Sequence, residues 1–145
     1  MKLILIAISV IGIGLLGACA GNVFSLKVGN CYNGPHNLNP ESAVDVTDVE
    51  LVNCDEPHES EVYSIFELPD STWPGYDYIE NQAEMACISR FEAFVGVEYA
   101  LSTLWIDYIY PSEKSWKKQD DRFVRCSVIE ESYIKVSGSL RGSRR

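Results

Sequence analysis

The residues best equipped for chemistry lie in Cys54-Asp55-Glu56-Pro57-His58-Glu59-Ser60-Glu61, where one of two histidines stands among three glutamates. An imidazole so placed suits general-base catalysis or a divalent metal, because it titrates near neutrality and carries a lone pair. A hydrolase or metal-dependent enzyme using His58 with Glu61 or Asp121 is the enzymatic reading. Cys54 and His58 also have the spacing of half a zinc site. No further Cys-x-x-Cys or His-x-x-x-His supplies the other half. If residues 57–68 are extended, Glu59 and Glu61 share a face and His58 points to the other, so the trio does not converge. His58 is then expected to order a turn through its ring nitrogens. No metal and no cofactor is expected.

Other candidates are aromatic or charged. Asp121-Arg122 precedes an apolar run and can present a charged pair to a ligand or fix the start of a strand. Tyr108, Tyr110 and Trp116 stand at strand ends and turns, where an aromatic surface can bind a peptide or a glycan. With His58, Asp121 and Arg122 they make up the candidate binding surface. Gly-x-Ser-x-Gly, a Gly-rich phosphate loop, an EF-hand loop and a dinucleotide fingerprint are all absent. A non-enzymatic binding role is expected.

The 145 residues carry a net charge of −9, which argues against nucleic acid and against a polybasic grip on anionic lipid. Behind Lys2, Leu3–Leu16 is apolar except for Ser9, the pattern of an export leader rather than a membrane span. Leu16-Gly17-Ala18-Cys19 resembles a bacterial lipobox. That resemblance implies a lipoprotein signal peptide at 1–18 and a Cys19 that carries diacylglycerol, with palmitate on its new amine. Residues 19–24 are then a lipidated tether, and the domain sits on the extracytoplasmic face of the cell membrane.

With Cys19 assigned to lipid, Cys31, Cys54, Cys87 and Cys126 remain, an even set in an exported chain. Spacing alone leaves three pairings open. The elements that carry the cysteines favour two bridges. Alternation marks strands at Ser25–Tyr32 and Val46–Cys54, and pairing them brings Cys31 to Cys54. A third strand runs Glu61–Leu68, with Val62, Ser64, Phe66 and Leu68 against Tyr63, Ile65 and Glu67. Tyr76–Val95 holds the one helical period, with Ile79, Ala83, Ala86, Cys87, Phe91 and Phe94 on a stripe that Gly96 ends. Leu104–Tyr110 and Arg122–Ile129 are further strands, with Pro111–Asp121 a charged loop around Trp116. Cys87 on the stripe and Cys126 on the last strand's apolar face make the second bridge. Tyr133–Val136 adds a short edge strand. The predicted class is α+β: an antiparallel sheet with one long helix on one face and two disulfides. The domain spans 25–140 and a flexible tail 141–145.

An ordered set of motifs runs through this frame. It comprises Val28-Gly29-Asn30-Cys31-Tyr32, Val52-Asn53-Cys54 with Pro57-His58 and Glu61-Val62-Tyr63, Cys87, Pro111, Trp116, Asp121-Arg122 before Cys126, and Gly138-Ser139-Leu140-Arg141. This set resembles the septum-formation domain family of bacterial envelope proteins over residues 25–142. One departure is Asp120, where the family pattern leads to a Gly before Asp-Arg and so to a different turn. The resemblance implies a link to septum formation and an envelope protein or cell-wall partner, and implies no reaction.

Overall fold

The computed structural model describes residues 19–34 and 47–145. The predicted leader at 1–18 and the start of the second predicted strand lie outside the described residues. Six strands, β1 (Cys19–Asn22), β2 (Cys31–Asn33), β3 (Asp48–Val52), β4 (Ser60–Glu67), β5 (Trp105–Ile109) and β6 (Phe123–Ile129), form one antiparallel sheet in the order β1-β3-β2-β4-β6-β5. Among the described residues two α-helices accompany it, α1 (Tyr76–Val95) and the short α2 (Glu113–Gln119).

The predicted stripe is what α1 buries: Ile79, Ala83, Cys87, Phe91 and Phe94 pack on Tyr63, Val124, Cys126 and Val128 of the sheet. The helix stops at Gly96, whose φ of 88° suits a residue without a Cβ and whose N–H bonds Glu92 O. The opposite face of the sheet is covered by Val23 and Leu26, packed with Tyr32, Val49, Val62 and Ile109. Both predicted bridges are present, Cys31–Cys54 and Cys87–Cys126, with Cα separations of 5.2 and 5.5 Å.

Four expectations are corrected. Residues 19–24 are not a tether: β1 pairs with β3, Cys19 opposite Leu51, and Val23 is buried in the turn that follows. Asn22 caps that turn by accepting the Phe24 N–H at 2.8 Å. The charged loop contains α2, started by a reciprocal cap in which Ser112 and Ser115 accept each other's backbone N–H. The edge strand at 133–136 shrinks to one bridge between Val136 and His58, because Ser132 and Tyr133 take left-handed backbone angles. The tail 141–145 is held: Gly142 N–H bonds Phe94 O, Arg144 N–H bonds Val95 O, and Arg145 pairs with Glu130.

The alternation of β4 also breaks. Val62 pairs with Ser127 and Ser64 with Cys126, so Tyr63 is the extra residue of a β-bulge. Tyr63 and Phe66 therefore join the helix-side core, and Val62 and Ile65 the other. The Tyr63 hydroxyl donates to Cys87 O at 2.7 Å and ties the bulge to α1 beside the second bridge.

Candidate functional site

His58 and Glu61 do converge. β4 starts only at Ser60, and His58 sits before it in a separate bridge with Val136, so strand alternation does not govern its direction. Its Nδ1 lies 2.8 Å from Glu56 O. A carbonyl only accepts, so Nδ1 carries a proton, and in the neutral imidazole Nε2 is the nitrogen with the lone pair. Nε2 is fully buried and has no hydrogen-bond partner among the described residues. Glu61 is 2% exposed and accepts two hydrogen bonds of 2.7 Å, from Ser139 Oγ and from the Leu140 N–H. One ring nitrogen of His58, one carboxylate oxygen of Glu61 and Cys31 Sγ lie within 4.8 Å of one another. With Cys31 oxidised to Cys54, that sulfur is not a thiolate.

Asp121 is not part of this cluster. It is buried and accepts from Ser115 Oγ at 3.3 Å and from the Phe123 N–H at 3.2 Å, with Arg125 at 3.6 Å. It therefore ties α2 to β6, next to a guanidinium that burial pushes down and Asp121 holds up. Arg122 lies over the Trp116 ring, 3.9 Å from its centroid, donates to Trp116 O and pairs with Asp120 at 2.9 Å. Trp116 is only 3% exposed and packs edge-on against Trp73 at 5.5 Å. The proposed surface residue is thus a wall, and of this stacked pair it is half-buried Trp73 that reaches solvent.

From Trp116 the aromatics continue. Trp73 meets Tyr76 at 5.0 Å, and Tyr108 and Tyr110 stand 6.0 Å apart on and just after β5. Burial raises the Tyr110 hydroxyl, and Glu80 and then Tyr76 on α1 add to it. Tyr108 is pushed up to about 12, by burial first and then by Glu80 and Glu84. Beside Trp73, a groove of about 700 Å³ is lined by Ser71, Thr72, Lys117, Lys118, Gln119 and Arg122 among others. Lys117 and Lys118 are not among the expected site residues, because Pro111–Asp121 reads as an irregular charged loop. The Ser112-x-x-Ser115 spacing before Trp116 was the available signal.

A family profile described as septum formation matches residues 28–144. The chain belongs to the septum formation family. No curated protein and no solved structure matches it. The septum formation region takes in both disulfides, both helices and the segment that docks on Glu61. Asp120, where a Gly is expected, is the left-handed end of α2 with φ 54°, a conformation that glycine favours. Among the described residues no helix is long and apolar enough to cross a membrane.

Proposed function

We propose that this member of the septum formation family is an exported, lipid-anchored, non-enzymatic envelope protein that acts in septum formation by binding a protein or wall component. The observation that carries the reading is the groove beside Trp73. It sets aromatic faces next to Lys117, Lys118 and Arg122 on a chain whose net charge is −9. Aromatic and cationic side chains around a shallow groove are the usual anchors of recognition. The residues with catalytic potential, His58, Glu61 and Asp121, are buried and largely engaged with the fold, which supports binding over hydrolysis.

The anchor rests on the leader and Cys19. β1 begins at Cys19, so a lipid there would hold the edge of the sheet against the bilayer and confine the groove to nearby partners. Cys19→Ser should release the protein from membranes. A tagged protein should gather at the division site, and uniform membrane labelling would overturn the septal part. Trp73→Ala combined with Lys117→Glu and Lys118→Glu should abolish co-purification of the partner. Trp73→Ala alone lowers the unfolding midpoint through its lost contacts with Trp116 and Tyr76. Lys117→Glu with Lys118→Glu, which spares the core, should therefore weaken capture at a nearly unchanged midpoint. Undiminished capture by that double variant would remove the groove from the proposal.

A further inference from the structure

The fold brings Cys31 and Glu61 to the Cys54–His58 half-site that the sequence leaves incomplete. We propose that reduction of the Cys31–Cys54 disulfide creates a zinc-class metal site, with Cys31, Cys54, His58 and Glu61 as its ligands. The inference is independent of the groove.

The distances are close to those required. Bonds of about 2.0–2.3 Å in a tetrahedral site place ligand atoms roughly 3.3–3.8 Å apart. Three of the four already lie within 4.8 Å. Cys54 Sγ, the fourth ligand, is bonded to Cys31 Sγ, and reduction frees it to turn to a ligand separation.

The surroundings are those of metal ligands. A ligating histidine typically donates its other N–H to a backbone carbonyl, and a ligating carboxylate is itself hydrogen-bonded. His58 Nδ1 has that relation to Glu56 O, which leaves Nε2 as a buried lone pair without a partner among the described residues. Ser139 and the Leu140 N–H fix Glu61. An orphaned buried nitrogen is costly, and a metal would satisfy it.

Access separates this bridge from the other. Cys54 is half-exposed, whereas Cys87 and Cys126 are both 0% exposed. Cys54 Sγ is therefore the sulfur that a dithiol reductant would attack. One of its thiolates attacks that sulfur, breaks the Cys31–Cys54 bond and forms a mixed disulfide. Its second thiolate then displaces Cys54, and the reductant leaves as its own disulfide. The protein gains two electrons and two protons as two thiols. Binding of the metal releases both protons to solvent, since the thiolate is the ligand. Two thiolates and an imidazole favour zinc over magnesium or calcium.

The test uses the full chain, oxidised or reduced under anaerobic conditions by an immobilised dithiol that is removed before metal is added. Cobalt(II) is the probe. Reduced protein should bind one Co²⁺ with a thiolate charge-transfer band and a tetrahedral visible spectrum, lost on adding Zn²⁺; oxidised protein should show neither. His58→Gln and Glu61→Gln should each weaken binding roughly tenfold or more. Cys31→Ser with Cys54→Ser should remove it. If reduction loosens the fold, Zn²⁺ should restore thermal stability in the wild type and not in Glu61→Gln. A reduced protein with no charge-transfer band would overturn the proposal. So would unchanged affinity in the His58 and Glu61 variants, or a loosened fold that Zn²⁺ does not restore.

Discussion

The two disulfides are covalently alike and sit in opposite surroundings. Cys87–Cys126 is wholly inside the apolar layer between α1 and the sheet, with Phe91, Val124 and Val128 in the same core. Cys31–Cys54 lies at the polar end, where His58, Glu61 and the returning C-terminal segment meet, and Cys54 is half-exposed. Gly138 N–H bonds Cys54 O there at 2.6 Å. The contrast separates two tasks. The inner bridge adds a covalent tie to a contact that packing already favours. The outer one holds together groups that have hydrogen bonds to satisfy and chemistry to spare.

The largest expected effect tests that contrast directly. Cys87→Ala with Cys126→Ala, whose residues are 39 apart in sequence, should cost about 4 kcal/mol in urea unfolding, with a further loss from the cavity left in the core. Cys31→Ser with Cys54→Ser, 23 apart, should cost about 3 kcal/mol. In thiol trapping under graded dithiol, Cys31 and Cys54 should be labelled first. A reversed order in either measurement breaks the comparison.

Next comes Glu61→Ala, at about 2–3 kcal/mol, because it strands the buried Leu140 N–H and releases Ser139. Hydrogen exchange at Leu140 should rise steeply while amides in the middle of α1 change little. Equal acceleration in both places would mean that the two regions open together. On the core side, Tyr63→Phe removes the hydroxyl bond to Cys87 O and should cost about 1 kcal/mol.

The smallest effect is in alkali. Tyr108 on the helix side and Tyr133 near Asp107 and Glu59 are each pushed up to about 12, in both cases chiefly by burial. A tyrosine raised above its unfolded value of 10 lends its full stability below pH 10 and loses it as pH climbs toward 12. Tyrosinate absorbance should therefore appear late in the folded protein and earlier in urea. Ionisation of both near pH 10 in the native state would show that neither ring is held as described.

Much of the fold was legible because its signals are local. The period of α1, the Gly96 stop and the alternation of β5 and β6 each need only neighbouring residues, and the pairing of cysteines followed from the faces they occupy. The site was less legible. A single added residue at Tyr63 reverses facing along β4, and nothing in an alternating pattern marks which residue is extra. Trp116 read as exposed because it lay in a charged stretch. Its burial depends on Trp73 and Arg122, which reach it from separate segments.

By itself the sequence determined the helix-on-sheet class, the resemblance to the septum formation family, a preference among the three cysteine pairings and the expectation of an anchor at Cys19, because parity, periodicity and ordered motifs survive without coordinates. Only the tertiary structure decided that 19–22 is a strand, that the tail is clasped, and that His58 faces Glu61 rather than away from it. The reason is separation along the chain. Glu61 finds its partners 78 and 79 residues away, and no local pattern encodes a contact made when the ends of a domain close on its middle.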